Sequence, residues 1–168
     1  SAGLISVITA KPKFETEVGG ELTVGNYSLR RVELSGTTAL TDTVAARLDG
    51  VLVKRDGVVE DLISGRDVND RDRWLLRGQL LFEPTDATSV RLIADYAKRD
   101  EECCAAPYIP ASDFTMSGRE ASTTKPLIEG LGAIVPDDPA DRDVVISPGR
   151  SYRQDVKDWG LSGELVHD

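Results

Sequence analysis

The 168 residues carry 29 acidic and 20 basic side chains, a net charge of −9 with the single histidine neutral. That balance removes the basic footprint nucleic-acid binding requires, and no apolar run approaches the roughly 20 residues of a transmembrane helix. Two cysteines exclude a disulfide-dense miniprotein; membrane β-strands, which hide their apolar face in alternation, stay admissible.

The chain opens in an apolar β-like run, Leu4, Ile5, Val7 and Ile8, with no initiator Met and no signal-peptide pattern. The expectation is a segment cut from something longer, with a processed mature protein as the alternative. Alternation then recurs with turn chemistry between the runs. Over 18–26, Leu22 and Val24 oppose Glu21 and Thr23, and Gly25 with Asn26 is expected to supply the turn, since both tolerate positive φ. Over 29–37, Val32 and Leu34 oppose Arg31, Glu33 and Ser35. A tight connection through Thr41 and Asp42 leads to 44–54, where Ala46, Leu48, Gly50 and Leu52 oppose Arg47 and Asp49.

Over 73–82, Trp74, Leu76, Gly78, Leu80 and Phe82 oppose Arg77 and Gln79, with Leu75 and Leu81 as exceptions. Pro84 is expected to end that strand, because proline cannot donate to a ladder. Over 89–96, Val90, Leu92, Ala94 and Tyr96 oppose Arg91 and Asp95. A sixth run, 158–167, sets Trp159, Leu161, Gly163 and Leu165 against Ser162 and Glu164, and a further turn is expected near Asp168.

Such a pattern fits a soluble antiparallel sheet or sandwich and equally a membrane barrel whose leucines and valines meet lipid. Connection lengths favour the barrel. The second-to-third and fourth-to-fifth turns are short, whereas the third-to-fourth (55–72) and fifth-to-sixth (about 99–157) connections are long, as in barrels with short periplasmic turns and long external loops; the first-to-second turn is the exception, being short on the long-loop side. Tyr27, Trp74, Phe82, Tyr96 and Trp159 lie near strand ends, as interfacial aromatics do. The 99–157 stretch is expected to be a large external loop, partly mobile, with at most a short hairpin or helical turn.

Cys103 and Cys104 are adjacent, which permits a vicinal disulfide or two free thiols and lacks any zinc spacing. The acidic pieces Asp100–Glu102 and Asp137, Asp138 read as solvated loop charge before they read as a cation site. His167 has no relay partners nearby in sequence and reads as a residue near a membrane interface. No Walker, Rossmann or metal spacing appears, so neither an enzyme nor a cofactor is expected.

Particular segments resemble a known family. GLISVITAKP (3–12) is similar to the last plug strand of TonB-dependent receptors, with Ser6 where the family often has Asn and Ala10 inserted before Lys11. VGNYSLRRVELSG (24–36) resembles the first barrel hairpin, TDTVAARLDG (41–50) with KRDG (54–57) the next strand and loop, and NDRDRWLLRGQLLFEP (69–84) the fourth strand. The resemblance implies an all-β, antiparallel up-and-down meander belonging to a barrel of about 22 strands. Residues 1–12 would end the plug, and 13–168 would form about six strands of the barrel. It also implies energy-coupled uptake of a scarce nutrient such as siderophore-iron across a Gram-negative outer membrane. The TonB complex would act through a segment absent from this sequence. A soluble β-sandwich binding or adhesion module and a passive porin are the rival readings.

Overall fold

Period-two alternation places one face of each run in one environment, and pairing then follows from matching faces. The computed structural model describes residues 9–108 and 124–168. Its elements are β1 (Glu17–Gly25), β2 (Leu29–Thr41), β3 (Val44–Arg55), β4 (Val59–Asp61), β5 (Arg66–Val68), β6 (Arg71–Thr85), β7 (Thr88–Glu102), α1 (Thr124–Gly130), a 3-10 turn (Pro139–Asp141), β8 (Asp143–Val144) and β9 (Arg153–His167). The fold is all-β. Six strands form one antiparallel meander in the order β1-β2-β3-β6-β7-β9, and among the described residues the sheet is open, β1 and β9 each pairing on one side.

All six expected runs are strands; β1 has the expected length shifted by one residue, and the other five are longer than the alternation indicated. Two expected turns are corrected. Gly25 is the last residue of β1, and the positive φ values fall on Tyr27 and Ser28. The pairing Gly25↔Leu29 and the Leu29 N–H to Asn26 carbonyl bond (3.2 Å) make Tyr27 and Ser28 the central pair of a tight hairpin turn, and right-handed strand twist favours positive φ at both of them. Pro84 does not end β6. It lies inside the strand where the β6–β7 register shifts between Phe82 and Thr85, at an irregularity that needs no N–H from proline. Asp86 and Ala87 alone make the turn.

The opening run 1–8 lies outside the described residues, and Thr9–Pro12, the described part of the expected plug strand, has no strand assignment.

The two long connections leave the same end of the sheet and are not bare loops. β4 and β5 form a hairpin within 56–70, and β8 from the β7–β9 connection pairs parallel to β4. This three-stranded cap buries Val59, Val68, Ala105, Val144 and Ile146, with Val58 and Tyr152 packed against them. Gly57 enters the cap so closely that a Cβ would stand 2.5 Å from the Asp67 carbonyl carbon, so only glycine fits.

Candidate functional site

Register places every residue expected to face lipid on one side of the sheet. Leu22, Val32, Leu52 and Trp74 form one cross-strand row, and Leu34 and Leu76 flank Gly50 in the next. Leu48 and Leu161 are joined through Gly78 and Ala94; Leu80 pairs with Leu92, and Val90 with both Phe82 and Leu165. Val24 continues the face along β1. This side is open: Leu22 is 70% and Leu161 74% exposed, with Leu34, Leu48, Leu92 and Leu165 each at 50% or above. Val32 and Val90 are half-buried. Trp74 and Tyr96 stack at 5.3 Å between ring centroids, and Trp159 is the cross-strand partner of Tyr96. From Trp74 to Phe82 the apolar band covers about nine residues, the length of a strand crossing a bilayer.

The opposite side carries the charged residues among several apolar ones, and it is closed at its centre. Thr37 (4% exposed) and Gln79 (3%) are buried there, beside Ala45 and Leu81. Arg47 holds Asp49 through two bonds of 2.7 and 2.9 Å, Arg77 lies 3.4 Å from Asp95, and Arg91 lies 3.1 Å from Glu164. The cover over Gln79 and Thr37 is the N-terminal segment. The Gln79 amide donates to the Ala10 carbonyl (3.0 Å), while the Thr37 hydroxyl accepts from the Lys13 N–H (2.8 Å) and donates to the Ala46 carbonyl (2.9 Å). Phe14 then lines a cavity of about 570 Å³ with both short turns.

At the long-connection end, Glu101 (2% exposed) receives a bidentate pair of 2.6 Å bonds from Arg73, a 3.2 Å bond from the Asp72 N–H, and the charge of Arg71 at 3.6 Å. Its neighbours are also paired. Asp100 takes Arg153 at 3.0 and 3.1 Å, and Glu102 takes Arg66 at 3.0 Å. The expectation that 100–102 is solvated loop charge is therefore overturned: these residues close β7, where cross-strand arginines meet them. Asp137 pairs with Lys125 at 2.5 Å, which pulls its carboxyl below the ordinary range, and Asp138 caps the 3-10 turn through the Ala140 N–H.

Inside the cap, Asp61 is buried and accepts from the Ser64 hydroxyl (2.5 Å), the Ile146 N–H (3.0 Å) and the Ile63 N–H (3.3 Å). The Ser64 bond first, then the Ile146 bond, hold its carboxyl below the ordinary 3.8, against the opposing effect of burial. Arg142 reaches the tip of the first hairpin, bonding the Tyr27 hydroxyl and lying 5.7 Å over its ring. Cys103 and Cys104 are joined as a vicinal disulfide. His167 bonds Thr88 across the β7–β9 ladder at 2.8 Å, a structural contact. Sequence reasoning missed Asn69, Glu101 and Asp61, because each is defined by a partner tens of residues away.

The arrangement thus offers an open apolar face, an opposite face that carries the charged pairs and the N-terminal segment, and a cap over one end. No known family model matches the chain, and no solved structure matches it.

Proposed function

We propose that this chain is a section of an outer-membrane β-barrel of the TonB-dependent receptor kind, serving energy-coupled uptake of a scarce nutrient such as siderophore-iron into a Gram-negative bacterium. One observation carries the reading: the face that bears Leu22, Leu34, Leu48, Leu92, Leu161 and Leu165 is open, while the opposite face closes over Gln79, Thr37 and Glu101 together with Ala45 and Leu81. In water such a face would leave a large apolar patch uncompensated, whereas acyl chains solvate it readily. An open sheet cannot cross a bilayer, so the edges of β1 and β9 must meet further strands in the intact barrel.

Connection lengths support the same orientation, with the cap external and the turns at 42–43 and 86–87 periplasmic, the tight turn at Tyr27 and Ser28 being the one short connection on the cap side. The N-terminal segment bonded to Gln79 and Thr37 favours a plugged barrel over a passive porin, in keeping with the resemblance of residues 3–12 to the end of a plug. A soluble sandwich would need a second layer against leucines that are half or more exposed here.

The test is expression of the intact gene product followed by membrane fractionation and an uptake assay. The expected result is detergent-dependent extraction, slower or faster gel migration after boiling, and ferric-siderophore uptake that stops when the TonB complex is deleted. Full recovery in the aqueous fraction would sink the reading.

A further inference from the structure

We propose that Cys103 and Cys104 form a thiol-sensitive latch that holds the β7–β9 connection on the end of the sheet. The pair sits where β7 ends and the connection begins. Cys104 is exposed, so a reductant reaches it, and its φ of 113° is a conformation that residues other than glycine rarely adopt. The covalent ring between the two side chains holds that conformation in place.

The seating of Ala105 depends on that bend. Asn69, itself at φ 66°, accepts through one side-chain oxygen from the N–H groups of both Cys104 (3.1 Å) and Ala105 (3.0 Å), and its amide donates to the Ala105 carbonyl (2.7 Å). Ala105 is thereby set into the cap core with Val59, Val68, Val144 and Ile146. The bend at Cys104 aims both N–H groups at Asn69. With the ring opened, Cys104 returns to ordinary φ, the two N–H groups turn away, and Ala105 is drawn from the core.

The opening step balances with an external dithiol. Its thiolate attacks one sulfur to give a mixed disulfide, its second thiol resolves that bond, and two protons and two electrons end on Cys103 and Cys104 while the reagent becomes a disulfide. The latch stands independently of the membrane reading.

Hydrogen exchange on the intact protein, with and without dithiothreitol, tests it, thiol alkylation counting the opened sulfurs. Reduction is expected to speed exchange of the Cys104 and Ala105 amides by roughly 5- to 30-fold, leave the β6–β7 ladder unchanged, and reverse on reoxidation. The double variant Cys103→Ser/Cys104→Ser is expected to exchange fast in both conditions. Asn69→Ala is expected to remove the dependence on reductant. Equal protection in both redox states, free thiols in the protein as purified, or oxidised-like protection in the double serine variant would each overturn the proposal.

Discussion

Val68 and Ile146 in the cap are closed to solvent while Glu60 is exposed, as in any water-soluble sheet. A few residues along the same chain, Leu52 and Leu76 lie open while Gln79 is closed. The cap thus closes an apolar core while the sheet leaves one apolar face uncovered, and the change falls near Trp74, Lys98 and Lys157, which share a cross-strand row. On the proposed reading, the cap stands in water and the band between Trp74 and Phe82 meets an apolar phase.

The comparison is broken most directly by Leu48→Arg, at mid-height of the open face. A lipid-facing site predicts a loss of about 2–4 kcal/mol, measured by unfolding from bilayers, whereas a water-facing site predicts a change within about 0.5 kcal/mol. Next in size is Glu101→Ala, which strands Arg73 and Arg71 at the boundary between sheet and cap. About 3 kcal/mol is expected in denaturant unfolding, the low end for a broken buried pair, because both arginines keep roughly a third of their surface in solvent.

Gly57→Ala probes the cap alone. The clash with Asp67 is expected to cost about 1–3 kcal/mol, read as faster proteolysis of 56–70 with the sheet intact. Smallest is the effect of acid on Asp61. Its carboxyl is held below 3.8 in the folded protein, so its support for the cap is complete above that pH and is lost as pH falls through the lowered value. Cleavage of the cap by an acid protease should rise only in that low range, and Asp61→Asn should flatten the profile.

The open face was legible residue by residue, since every leucine expected on it is there. Strand ends were not, because in RDR before Trp74 and KRDEE after Ala97 charges occupy both faces and the period of two disappears. The cap strands are two or three residues long, too short for any period, and Glu60 finds Asp143 only in three dimensions. The turn at Tyr27 and Ser28 lacks the glycine that would announce it. Glu101 read as one of three like charges, and nothing local distinguishes it from Asp100 or Glu102. Adjacency alone left the cysteines undecided between thiols and a disulfide.

Two of the bonds that hold the described N-terminal segment have a mechanical corollary. A pull applied at Ala10 loads the Gln79 amide first and the Thr37 hydroxyl second, one contact after another. Each is a neutral hydrogen bond worth on the order of 1 kcal/mol, whereas the ladders on either side of β6 share any load among many bonds at once. The segment therefore peels away from the sheet like tape, bond by bond, before the sheet itself gives.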